Sequence, residues 1–194
     1  FMWGNHENEM KACGNLSDPS KFIYRINDGD GAFTYYDGHL GATIDRTNPN
    51  GTGPHNLAGN DNIFKNLYNE GDSDFFIAFA DRVECHCFND GALTPNQTQQ
   101  RIDNLANEMQ LSIVADAARW GYSNLNHFPS VWSNQINQVK QNFLPSRTGI
   151  LVDQLKNRNF YPTTNAVSFN QYGGGVVSTF QLVLSKSNNN EQIY

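Results

Sequence analysis

Between Asp61 and Asn159 apolar side chains recur every three or four residues, and this spacing commits the middle of the chain to amphipathic helices. Phe75, Phe76, Phe79, Ala80, Val83 and Cys87 mark one buried face and predict a helix over 73–88. Asn89-Asp90-Gly91 ends it with residues that tolerate left-handed backbone. Thr94-Pro95 opens the next helix, with Thr at the N-cap and Pro at the first helical position. Along it Ile102, Leu105, Met109, Ile113 and Ala117 form an apolar stripe, and Gly121 closes a helix over 95–120. A third helix is expected over 131–143, and Pro145 opens a fourth over 146–157. Helices of this length joined by short connections predict a packed bundle.

The flanks read differently. Residues 1–60 are rich in Gly, Asn, Asp and Pro, with a strand expected at Phe22-Ile23-Tyr24-Arg25-Ile26 and a second at 32–36. The Pro and Gly residues of 48–54 make that stretch a loop. After Tyr161-Pro162 the run Val176 to Leu184 alternates like a strand. Val176, Phe180, Leu182 and Leu184 share one parity, and Ile193-Tyr194 would be the partner across a turn at 187–190. The expected fold class is α+β. A β/loop region spans 1–60, a helical lobe 61–165, and the start of a separate β unit 166–194.

The chain has 13 Phe, 8 Tyr and 3 Trp, too many aromatics for a disordered polymer, although only 38% of it is apolar. Charged residues make up 16% and the net charge is −6, so nucleic acid is not an expected partner. No apolar run reaches the roughly 20 residues that span a bilayer. The start at Phe1-Met2-Trp3-Gly4 carries no signal-peptide pattern and no initiator Met, so the sequence is expected to be a piece of a longer chain. Three cysteines, Cys13, Cys85 and Cys87, argue against a disulfide framework. Cys85 and Cys87 on one helix would diverge by about 200° around its axis, which favours packing over metal ligation.

Few residues carry chemistry by pattern alone. Asn27-Asp28-Gly29-Asp30-Gly31 follows the strand at 22–26 and brings two carboxylates close together. Such a run is first of all ordinary turn chemistry, and it also suits a divalent-metal loop. An EF-hand is excluded, because aligning Gly31 with the required sixth-position glycine puts Ile26 where the first carboxylate belongs. His86 reads as a buried packing residue, and Arg119 is placed to stack on Trp120. No Gly-x-Ser-x-Gly run occurs, and no cysteine has the context of a nucleophile.

Several motifs in order nonetheless carry a resemblance. Phe79 to Arg82, His86 to Pro95, Ala118 to Gly121, Leu144 to Thr148 and Phe160 to Pro162 resemble the C-terminal helical lobe of CotH-like secreted kinases. The resemblance spans residues 1–162 and is strongest after 60. It implies a kinase-like fold and phosphoryl transfer from ATP to a protein, with Mg²⁺ or Mn²⁺ as the metal. By this resemblance Asp28 and Asp30 would be the metal ligands, with Asn27 where relatives carry Trp. Glu7 would occupy the place of the catalytic Asp, and the nucleotide-anchoring Lys would lie before Phe1. Gly173-Gly174-Gly175 with Phe180 to Leu184 resembles the start of a chitobiase-type β-sandwich module, found beside CotH-like domains in extracellular bacterial proteins. The implied setting is secreted or at the cell surface. A non-catalytic scaffold or adhesion module, meeting a cell-surface or matrix partner, is the alternative the same resemblance allows.

Overall fold

The computed structural model describes residues 10–15, 18–26, 42–50, 62–120, 128–164, 166–172 and 174–186, the strands within 10–26 by their backbone alone. The described chain is mostly helical with short two-stranded sheets. Two strands, β1 (Met10–Asn15) and β2 (Asp18–Ile26), pair antiparallel with Met10 opposite Ile26 and Gly14 opposite Phe22. The register shifts between Gly14 and Asn15. β2 contains the expected 22–26 strand and begins earlier, at Asp18. β1 was not expected, because Met-Lys-Ala-Cys-Gly-Asn has no β-branched residue to signal it.

Helices α1 (Asn62–Glu70), α2 (Ser73–Cys87) and α3 (Pro95–Trp120) follow. Gly71 adopts φ +69° between α1 and α2, and the Asp72 carboxylate accepts from the Phe75 N–H at 2.9 Å, capping α2. α2 and α3 match their expected ranges within a residue. The third and fourth expected helices are joined rather than separate: α4 (Phe128–Gln138) runs through a π-helical turn (Val139–Phe143) into α5 (Leu144–Asn157). The physical reason is Pro145. It has no N–H to continue the ladder, and its ring would press on the carbonyl four residues back. The helix widens ahead of it, with Leu144 N–H donating to Val139 O, instead of breaking.

α5 ends in a Schellman motif. Asn159 takes φ +61°, Phe160 N–H donates to Leu155 O at 2.9 Å, and Asn159 N–H donates to Lys156 O at 3.1 Å. The motif drives Phe160 back into the lobe, where it is 1% exposed. Its ring centre lies 4.8 Å from Phe79, 5.0 Å from Tyr68, 5.5 Å from Phe64 and 5.9 Å from Phe76. Val83, Cys87, Leu151, Val152, Leu155 and Tyr161 complete the core around it. α3 contributes less than its stripe promised: Ala117 is buried, but Leu105 and Met109 are nearly half exposed.

The C-terminal segment departs from expectation. Residues 176–183 form no strand; among the described residues of this segment β3 (Ser168–Phe169) and β4 (Leu184–Ser185) alone pair, over two residues each. Among the described residues the alternation at 176–184 is paired only at Leu184, and a strand without a ladder is not stable. Asn170 takes the neighbour's place: its backbone N–H donates to Val183 O, its side-chain amide donates to Gln181 O, and its Oδ1 accepts from Val183 N–H. Phe180 N–H donates to Val177 O in a turn. Val176, Leu182 and Leu184, expected to face a core, are exposed. The proposed partner Ile193-Tyr194, the strand at 32–36 and the helix stop at Gly121 lie outside the described residues.

Because Phe160 is the side chain that α1, α2 and α5 share, its truncation should be costly. Phe160→Ala is expected to destabilise the lobe by about 3–5 kcal/mol, read from the denaturant midpoint, whereas Asn159→Gly should be nearly neutral because glycine also accepts the left-handed backbone.

Candidate functional site

The chain turns sharply where α2 ends, and three backbone constraints fix its path. Asn89 and Asp90 both take positive φ, 49° and 62°, and Gly91 N–H donates back to Phe88 O at 2.8 Å. Gly91 then passes so close to α2 that a β-carbon there would stand 2.4 Å from Cys85 O and 2.7 Å from His86 O. Leu93 N–H donates to His86 O at 2.7 Å, tying the connection to the helix it has just left. Thr94 stands at the N-cap of α3, its carbonyl accepting from Thr98 N–H. Its hydroxyl faces backwards, however, and donates to Gly91 O at 2.8 Å.

α5 holds this turn and a second loop from within. Thr148 is buried and its hydroxyl donates to Leu93 O. Arg147, 4% exposed, donates to Ala42 O at 2.8 Å, Ile44 O at 3.1 Å and Gln154 Oε1 at 3.2 Å. Burial pulls its guanidinium below the ordinary arginine value. Gln154 in turn donates to Thr43 O at 3.0 Å, and Arg158 pairs with Asp45 at 3.2 Å. The segment 42–44 is therefore held to α5 by carbonyl contacts, and Thr47 and Pro49 just after it are buried.

Tyr161 joins the two ends of the lobe. Its ring stacks on Phe88 at 5.6 Å with Lys156 Nζ 5.9 Å from the ring centre, and its hydroxyl donates to Glu84. Burial, and then the Glu84 carboxylate, push the phenol well above its ordinary value. Burial likewise pushes the Cys87 thiol up. Cys85 is exposed and Cys87 buried, as their divergence around the helix axis requires. His86, read from sequence as buried, is exposed, because the inward face of α2 runs through Val83 and Cys87 and leaves it to one side. Arg119 does lie over Trp120, at 5.3 Å.

Beside this turn lies an open groove of about 710 Å³, within the range that holds small ligands. One wall is the face of α2 carrying Asp81, Glu84 and Cys85, continued by Phe88, Asn89 and Asp90. The other is the C-terminal segment with Phe169, Gln171, Tyr172 and Leu182. Phe169 and Tyr172 meet edge to face at 5.4 Å, and Phe169 N–H donates to the Tyr172 hydroxyl at 3.0 Å. The sequence held half the signal for this groove, since 81, 84, 85 and 88 recur at helical spacing on one face. Nothing in the linear pattern ties that face to residues 169–182.

The residues expected to hold metal or accept a proton, Asp28, Asp30 and Glu7, lie outside the described residues. Among the described residues no group of three or more His, Cys, Asp or Glu is placed to bind a metal, and no helix is long and apolar enough to cross a membrane. No family model, curated protein or solved structure matches the chain.

Two substitutions separate close approach from open space. Gly91→Ala should destabilise by on the order of 1–3 kcal/mol through overpacking. Gly149→Ala, mid-helix with nothing within 4 Å of its new methyl, should stabilise by about 0.5–1 kcal/mol. Thermal melts of both variants give the comparison.

A third substitution reads pH. Burial alone would raise the Asp45 carboxyl, but the Thr47 hydroxyl and N–H (2.6 and 2.8 Å) and Arg158 together hold it below its ordinary 3.8. A carboxylate depressed in the folded state contributes stability above its unfolded pKa and loses it as pH falls through the folded one. Asp45→Asn should thus be less stable than the parent at pH 7. The gap should shrink below pH 4 as Asp45 itself becomes protonated, a trend that urea titrations across pH 2.5–7 would follow.

Proposed function

We propose that the chain is the helical lobe of a CotH-like phosphoryl-transfer protein, with kinase-like topology and a β-sandwich module beginning after residue 165. The observation that carries this reading is where its shared motifs lie. Gly91 to Pro95, Arg147-Thr148 and Phe160-Tyr161 are distant in sequence, yet they meet through Thr148 to Leu93, Tyr161 to Glu84 and the Phe160 core. A lobe whose recurring residues are its internal ties has the character of a support for a site carried elsewhere on the chain. Arg147 and Gln154 grip the segment that starts at Ala42, twelve residues after Asp30.

On this reading Asp28 and Asp30 hold Mg²⁺ or Mn²⁺ by hard oxygen ligation, and Glu7 accepts the proton of the hydroxyl that is phosphorylated. The metal would supply charge neutralisation at the transferred phosphoryl group. The substrate is a protein, met outside the cell or at its surface.

The test is a metal titration followed by thermal unfolding of a longer chain that includes the residues before Phe1. Mn²⁺ at about a hundredfold above its dissociation constant should stabilise by about 2.7 kcal/mol, and Asp28→Asn should remove that gain. With labelled ATP the same protein should transfer phosphate to a protein acceptor. No metal-dependent shift, with no transfer, would discard the phosphoryl-transfer reading in favour of a non-catalytic scaffold or adhesion module.

A further inference from the structure

The groove between α2 and the C-terminal segment plays no part in the phosphoryl-transfer reading, and the inference drawn from it does not rest on that reading. Among the described residues its lining combines three carboxylates (Asp81, Glu84 and Asp90) with two amides and three aromatic rings, and no basic side chain. Glu84 is already engaged by the Tyr161 hydroxyl and by the Asn89 amide at 3.2 Å. Asp81 and Asp90 are exposed at the rim. Tyr172 and Leu182 stay 46% and 58% exposed on the facing wall. Apolar side chains left open beside unneutralised carboxylates match a ligand that is cationic at its head and apolar along its stem. A neutral sugar would use the rings and amides but leave the carboxylates uncompensated.

We propose that this groove binds an extended, arginine- or lysine-bearing segment of a partner protein. Its cationic heads meet Asp81 and Asp90, its alkyl stems lie along Leu182 and Phe169, and Tyr172 offers a ring face to the guanidinium. The partial exposure of both walls suits reversible contact with a segment that the open groove admits from solvent.

Fluorescence anisotropy of the full chain with a labelled pentapeptide carrying two arginines tests the assignment, beside an otherwise identical peptide carrying glutamines. The arginine peptide should bind saturably, and raising salt from 50 to 500 mM should weaken it, because exposed charges are screened. Asp81→Asn combined with Asp90→Asn should weaken binding about fivefold, and Tyr172→Ala about threefold. Both aspartates are exposed, and asparagine tolerates the left-handed backbone at position 90, so circular dichroism of the double variant should match the parent. Equal binding of the two peptides, unchanged affinity in the double variant, no binding at millimolar peptide, or displacement by a neutral oligosaccharide would each overturn the proposal.

Discussion

Everything in the helical lobe is arranged around one aromatic ring. Phe160 sits at the end of α5 in sequence but at the centre of the core in space, touching rings from α1 and α2. It reaches that place because Asn159 accepts a left-handed backbone that most residues avoid, and the two backbone bonds of the Schellman motif then aim the next side chain inward. The hydrophobic gain of burying a phenyl group holds the turn, and the turn delivers the phenyl group. Neither part would persist without the other, which is how a short lobe with few fully buried residues keeps three helices in register.

Polar groups then do for the loops what Phe160 does for the helices. Arg147 is nearly inaccessible, and a buried guanidinium is costly unless its donors are used. Backbone carbonyls of 42–44 use them, so the position of that segment is set by the same residue that needs it. Thr148 does likewise for Leu93. Through these bonds the residues that carry the CotH-like resemblance become intelligible as structure: they are hinges and fasteners of the lobe.

How much of this was legible in the sequence follows from which interactions are local. Helices α2 and α3 could be read to within a residue, since both the apolar spacing and their end signals lie within a few positions. The Pro145 signal was real but ambiguous. A proline at a helix start and a proline behind a widened turn look the same in one dimension. The alternation at Val176–Leu184 misled, because alternation reports a strand only when a neighbour supplies the ladder, and here Asn170 supplies it with a side chain. The candidate metal residues Asp28 and Asp30 were singled out by composition and family likeness, not by any distance. The groove escaped notice because its two walls are some ninety positions apart, and only the fold brings Asp81 beside Tyr172.

The π-helical turn has one further consequence. Counted along an unbroken α-helix, the half-buried positions of α4, such as Trp132 and Ile136, and the buried positions of α5, such as Leu151 and Leu155, would point about 100° apart. That is the angle of a single residue. The wide turn absorbs one residue's worth of rotation, so both halves turn the same side toward α3, on which both pack. The joined helix therefore behaves like a crankshaft with its offset already machined out. Removing one residue between Val139 and Phe143 would restore an ordinary helix with its two halves still in phase, whereas adding one residue to that ordinary helix without the wide turn would rotate one half by about 100°.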